Sequence, residues 1–286
     1  MKHNGGLLRI REALHTIRPA ELNAANYILK HPEEVVSLSV KELAEKSNSS
    51  QSAIIRLCQS IGVKGFSELK VRIAGDLQGA DQFTHRFKEI LPGDDIQTII
   101  NNVSTNNVYS IHETLKVLDS NEMKRGSEAI FKANRIDFYG AAASQIIAQD
   151  AQQKFLRINK HCTAYADAHL QLTSSVTLTE SDVAIGISYS GETNHVLKAI
   201  ENAKETNAVT IGITRYGQNS LAKLVDICLY TSSIESDVRS SATASRIAQL
   251  NIIDILFRAV ASLSYDTTVH YLNKSHDVIR QAFRMN

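Results

Sequence analysis

The residues best suited to chemistry in this chain are Ser188-Tyr189-Ser190-Gly191-Glu192-Thr193. Serine, threonine or glycine fills four of these six positions, so the loop is rich in hydrogen-bond donors without containing a cation. An apolar run, Val183-Ala184-Ile185-Gly186-Ile187, precedes it, and a proline-free helical stretch from Asn194 to about Thr206 follows it. Backbone N–H groups at a helix start are unpaired and carry partial positive charge. A hydroxyl-lined loop at that point therefore suits a phosphate or another anion. The competing reading is plainer: a strand-to-helix turn whose Ser and Thr only cap the helix. A second turn of the same kind, Gly140–Ser144, also follows a strand and precedes a helix. Two such turns at one sheet edge favour the anion reading.

A second group lies near the N-terminus. Ser49, Ser50, Gln51, Ser52 and Arg56 open and line a helix over 51–60 that follows the short turn Ser47-Asn48-Ser49-Ser50. Ser and Gln bond to base edges or phosphates, and arginine takes either. Lys41, Lys64, Lys70 and Arg72 are placed to meet phosphates around that helix. The alternative is a solvated helix face with no partner.

Other chemistries find no support. There is no GxxxxGK[ST] nucleotide loop, no GxGxxG dinucleotide loop and no His/Cys cluster at metal spacing, so no metal and no cofactor are expected. Cys58, Cys162 and Cys228 are far apart, odd in number and each in an apolar run, which predicts buried free thiols in a reducing cytosol. No apolar run is long enough to span a bilayer and the N-terminus has no signal-like segment, so a cytoplasmic protein is expected. A net charge of +1 excludes a globally basic chain, so any nucleic-acid surface must be local. Residues 1–80 carry 11 Lys+Arg against 8 Asp+Glu, and the remainder 20 against 22, which tilts the basic balance towards the N-terminal part.

The elements that would hold these groups change type along the chain. Apolar spacing predicts helices over 7–17, 19–30, 40–46, 51–60 and 67–77, with Ser39 as an N-cap, His31-Pro32 as a stop and Gly62 closing the fourth. The pair 40–46 and 51–60, joined by four residues, reads as a helix-turn-helix in which Ala44 permits a close crossing and Ile54 with Leu57 anchors the second helix. Polar residues around 79–93 read as a linker. Residues 94–118 read as a helix packed on the second domain or on a partner subunit. From Arg135 strands alternate with helices: strands at 136–139, 162–166, 182–187, 209–213 and 227–230, helices at 144–158, 168–174, 194–206 and 241–262, and a helical turn at 221–224. That alternation predicts a five-stranded parallel sheet covered on both faces, with ligands bound beyond the carboxyl ends of its strands. The expected division is 1–78 as an all-α helix-turn-helix domain, 79–93 as linker and 94–286 as an α/β domain.

The loop S-Y-S-G-E-T after an apolar strand resembles the phosphosugar signature of SIS (sugar isomerase) domains. The stretch VRSSATASRIAQLNIIDILF, Val238–Phe257, and the N-terminal run LAEKSNSSQSAIIRLCQSIGVKGFSELK, Leu43–Lys70, resemble RpiR-type bacterial transcription regulators, in that family's domain order. The resemblance implies a regulator that binds double-stranded operator DNA, responds to a sugar 6-phosphate and works as a homo-oligomer. Within the family it is most similar to regulators of amino-sugar or N-acetylmuramic acid 6-phosphate use. It further implies that Ser144, Ser188, Ser190 and Thr193, with the amides of Gly191 and Glu192, hold the ligand's phosphate. Glu235 matches a position that faces the sugar in SIS enzymes, and His169 lies near a strand end within reach of sugar hydroxyls; each has a purely structural reading beside it. One departure is Ala142, which stands where the family often has a second glycine. The alternative function is an SIS-fold isomerase or lyase, which requires a general base. Glu235 and His169 are its only candidates, neither has a partner acid, and a helix-turn-helix has no role in such chemistry.

Overall fold

The computed structural model describes residues 5–14, 17–80, 92–232 and 243–283. The chain divides into two compact units, Met1–Val117 with Tyr216–Gln218, and Leu118–Arg215 with Asn219–Asn286.

The first unit is all helical: α1 (Gly6–Ala13), α2 (Pro19–Lys30), α3 (Pro32–Val35), α4 (Val40–Lys46), α5 (Gln51–Ser60), α6 (Phe66–Ala80) and α7 (Ile96–Val117). Ser39 starts α4 through a reciprocal cap: its hydroxyl accepts from Glu42 N at 3.2 Å, and the Glu42 carboxylate accepts from Ser39 N at 2.7 Å. Between α4 and α5, Asn48 takes a left-handed φ of 49°, which lets Ser49 N donate back to Ala44 O at 3.0 Å. Leu43, Ile54, Leu57 and Cys58 bury completely against Ile28, Leu69 and Ile73, so the helix pair is fixed by a real core. His31-Pro32 ends α2 as expected, yet Pro32 opens the short α3, because proline's missing N–H is harmless at a first helical position.

The helix over 96–117 groups with this N-terminal unit and not with the α/β unit, where the sequence reading placed it. Its buried side chains are Asn102, Ser110, Glu113, Thr114 and Val117, whereas Ile96, Ile100, Val108 and Leu115 stand exposed. An apolar period cannot say which partner covers it, and here the polar stripe is the one turned inward. At the expected linker, α6 continues to Ala80; residues 81–91 lie outside the described part of the chain.

The second unit runs α8 (Ser120–Lys132), β1 (Ile136–Gly140), α9 (Ala143–Leu156), β2 (Cys162–Thr163), α10 (Ala168–Ser175), β3 (Val183–Ile187), α11 (Asn194–Glu205), β4 (Val209–Arg215), α12 (Ser220–Leu224), β5 (Ile227–Thr231), α13 (Thr243–Leu263) and α14 (Tyr265–Ala282). The five strands form one parallel sheet in the order β2-β1-β3-β4-β5. β1 and β3 are buried along their whole length, as strands covered on both faces must be. Alternate residues supply the two cores. Phe138, Val183, Ile185 and Ile211 pack with α8, α9 and α13 on one face. Tyr139 and Ala184 pack with α10, α11 and α12 on the other. Cys58 and Cys162 are buried and Cys228 half-buried, all as free thiols, and burial pushes them up to about 11, 11 and 12. No single helix among the described residues is long and apolar enough to cross a membrane.

Candidate functional site

Strand order locates the site. The chain leaves β1 for β2 on one side and then crosses to β3 on the other, so connections diverge between β1 and β3, where parallel sheets bind ligands. Gly140 pairs in register with Ile187. The turns 141–144 and 188–193 therefore leave the sheet side by side, each opening a helix.

In the second turn the hydroxyls hold one another and the backbone. Ser188, nearly buried, accepts from Gly191 N at 3.1 Å and pairs with the Thr193 hydroxyl at 2.9 Å, while Ser190 accepts from Glu192 N at 3.2 Å. Thr193 occupies the N-cap position of α11 but makes no side-chain cap bond. That counts against the plain capping reading, since α10 and α12, which start at the same sheet edge, are capped by Asp167 and Asn219. Gly191 sits at φ 72°, and a Cβ there would lie 2.1 Å from Asn219 Oδ1, so only glycine fits. The Glu192 carboxylate turns to α12, accepting from Ser220 N at 2.9 Å and the Ser220 hydroxyl at 2.7 Å; these two bonds hold it below the usual carboxylate range. Of Glu192, then, the amide faces the turn and the side chain is an anchor. Asn219 and Ser220 are parts of the candidate site that sequence reasoning missed, since a helix start 28 residues further on carries no signal of where it folds back.

The first turn is strained. Gly140 lets the start of α9 approach so closely that a Cβ would lie 2.7 Å from Ser144 O. Ala142, the departure noted from the sequence, adopts φ 47° and ψ −118°, a conformation that glycine takes without cost and alanine does not. Ser144 N donates to Ala141 O at 2.9 Å, and the helix start again has no side-chain cap. His169 is exposed in the first turn of α10, behind the cap that Asp167 makes to Leu170 N. Glu235 lies outside the described residues, as do residues 238–242 of the matching stretch before α13.

The candidate nucleic-acid face is carried by α4 and α5. Gln51, Ser52, Arg56, Lys41 and Lys64 are exposed, as a contact surface requires. The serines are partly engaged: Ser50 caps α5 by accepting from Ala53 N at 3.1 Å and pairs with Ser52 at 2.9 Å, and Ser49 pairs with Ser47 at 2.6 Å. Arg56 leans towards the nearly buried Glu21, Nε to Oε1 3.7 Å, while its own side chain stays 46% exposed, so it can still turn outward. Lys70 is directed inward, donating to Leu38 O at 3.0 Å, and Arg72 is held by Glu68 at 2.8 Å. Ile55 and Gln59, also exposed on α5, were not expected on this face. The signal was present, since both follow Gln51 and Ser52 at helical spacing.

Comparison with known proteins agrees with this architecture. Residues 4–80 match the helix-turn-helix domain of the rpiR family, and residues 129–259 match the SIS domain. The chain is 48% identical over 270 residues to an HTH-type transcriptional regulator of Caldanaerobacter subterraneus, covering 94% of this chain and 95% of that one. It is 40% identical over 277 residues to the HTH-type transcriptional regulator YbbH of Bacillus subtilis, covering 96% and 97%. In fold it is similar to the Vibrio vulnificus NanR protein, solved in complex with ManNAc-6P, at 23% identity and a TM-score of 0.62 over 97% of this chain and 98% of that one. The sugar isomerase domain of an RpiR transcription factor from Sphaerobacter thermophilus is similar at 18% identity and a TM-score of 0.57, covering 63% of this chain and 98% of its own. A helix-turn-helix followed by an SIS domain defines a class of DNA-binding transcriptional regulators. This chain belongs to the rpiR family of HTH-type transcriptional regulators.

Proposed function

We propose that this regulator's affinity for operator DNA is set by a sugar 6-phosphate held between the turns 141–144 and 188–193. The observation that carries the reading is the pair of uncapped helix starts, α9 and α11, side by side at the sheet's switch point. Two helix N-termini without a side-chain cap, side by side at one spot, favour a dianion without any lysine or arginine. Ser144, Ser188, Ser190 and Thr193, with the amides of Gly191 and Glu192, are the residues assigned to the phosphate, and His169 and Glu235 to the sugar. An amino-sugar phosphate fits the similarity in fold to NanR, whose solved structure contains ManNAc-6P. On the DNA side, Gln51, Ser52 and Arg56 are assigned to base edges, and Ser49, Ser50, Lys41 and Lys64 to the phosphate backbone.

The protein acts as a cytoplasmic homo-oligomer and not as an enzyme. Exposed Ile96, Ile100, Val108 and Leu115 on α7 support self-association, and paired half-sites about one DNA turn apart demand two reading helices. The catalytic alternative is not favoured, because the exposed His169 stands without a paired acid among the described residues. A thermal-shift screen against sugar 6-phosphates and their unphosphorylated parents tests the effector assignment. A ligand at 100 times its dissociation constant stabilises by about 2.7 kcal/mol. A phosphosugar that shifts melting while its parent does not is the expected result; silence across the panel would remove the effector site, and turnover of any panel member would restore the enzyme reading.

A further inference from the structure

Gln171 is fully buried in α10, yet it is one of the few polar side chains among the described residues with an unpartnered buried atom, Oε1. Its amide nitrogen lies within hydrogen-bond range of three acceptors, Gly140 O at 2.9 Å, Tyr165 O at 2.7 Å and Gln145 Oε1 at 3.2 Å, and shares its two N–H groups among them. The amide cannot be flipped, because its oxygen would then face three acceptors. Gln145 in turn donates to Ala164 O at 3.0 Å. Gly140 and Gln145 flank the strained turn at Ala142, so this one side chain ties together the last residue of β1, the first turn of α9 and the chain after β2. A non-glycine residue at such φ and ψ persists only where its surroundings over-determine it. The group that grips both sides of the turn is Gln171.

We propose that Gln171 is a positioning residue for the effector site: it holds the turn 141–144 in its strained, ligand-ready form and ties that form to α10, the helix that carries His169. The proposal rests on the effector reading above. If the clamp works by opposing strain at Ala142, relieving that strain should make the clamp dispensable. A structural role alone would make no such link.

The experiment is a double-mutant cycle on the full chain with inorganic phosphate as the probe, comparing wild type, Gln171→Met, Ala142→Gly and the double variant by isothermal titration. Gln171→Met should weaken phosphate binding about tenfold, and the same change in the Ala142→Gly background less than about threefold, since residues acting through one element are non-additive. Equal losses in both backgrounds, or no loss in either, would overturn the clamp while leaving the effector site standing. Absence of phosphate binding by the wild type would overturn the effector reading and the clamp with it. If Gln171→Met does not fold, hydrogen exchange on the wild type decides. Phosphate should slow exchange in residues 141–146 and 165–172 together; protection of 141–146 alone would overturn the coupling.

Discussion

Ala142 and Glu192 show how single residues set the state of the site. Ala142 holds φ 47° and ψ −118°, so Ala142→Gly should relieve more strain than the added freedom of glycine costs in the unfolded chain. The expected gain is about 1 kcal/mol, a rise in melting midpoint of about 2–4 °C for a unit of this size, read by calorimetry. Gly191→Ala should do the opposite: its Cβ would collide with Asn219 at a positive φ, costing about 2–4 kcal/mol. The bonds from the Ser220 hydroxyl and amide lower the Glu192 pKa in the folded state. Its contribution to stability is therefore present above its ordinary value of 4.5 and is lost as pH falls through the lower folded value. The gap in melting midpoint between wild type and Glu192→Gln should stay constant near neutrality and close as pH drops below that value; a gap that persisted in acid would mean that it does not come from the ionised carboxylate's bonds to Ser220. The sequence displays the chemistry that is local to these residues and hides what depends on the segments that fold against them. The hydroxyl loop and the odd alanine were visible in the chain, whereas the turn of Glu192 away to α12 was not.

At the scale of elements, capped and amphipathic pieces were the legible ones. α2, α4 and α5 run over the residues expected, because Pro19, Ser39, Ser50 and Gly62 mark their ends and one face of each is apolar. Three helices, α3, α8 and α14, were not read from the sequence. α8 buries Met123, Gly126, Ser127 and Ile130, an amphipathic stripe diluted by small and polar residues, and α14 buries only Thr268 although Tyr265, Val269, Leu272 and Ile279 follow at helical spacing. β2 is just two residues long, at the sheet's edge, where fewer neighbours demand apolar side chains. The helix α5 carries the element-scale prediction. Arg56→Ala should weaken operator binding and flatten the salt dependence by about 0.9 in slope if Arg56 meets a phosphate. If it reads a base it should instead cost about 1–3 kcal/mol at one operator position and leave the slope nearly intact. Salt-titrated binding of the variant to selected and scrambled DNA separates the two. Since Arg56 also pairs with the nearly buried Glu21, its melting midpoint must be measured beside the affinity. Unchanged binding in a folded variant would remove α5 as the reading helix.

For the whole molecule, regulation is a coupling between two sites on one chain, and coupling is reciprocal. If a phosphosugar changes the affinity for DNA by some factor, DNA must change the affinity for the phosphosugar by the same factor. Typical couplings of about 1–3 kcal/mol correspond to factors of roughly 5–150. The prediction needs no knowledge of whether the ligand releases or recruits the operator. It requires only a DNA sequence selected by the protein itself from a random pool and the phosphosugar that shifts its melting. Calorimetric titration of the sugar into free protein and into the protein–DNA complex gives one factor; titration of DNA with and without the sugar gives the other. The two should agree, and Ser190→Ala, which takes a hydroxyl from the turn 188–193, should shrink both together. A sugar that binds tightly but yields a factor of one in both directions would be a ligand without differential affinity for the two states, and such a ligand cannot regulate. The helix-turn-helix and the SIS domain would then share a chain without sharing a function, and the search for an effector would have to move to other anions for the same turn.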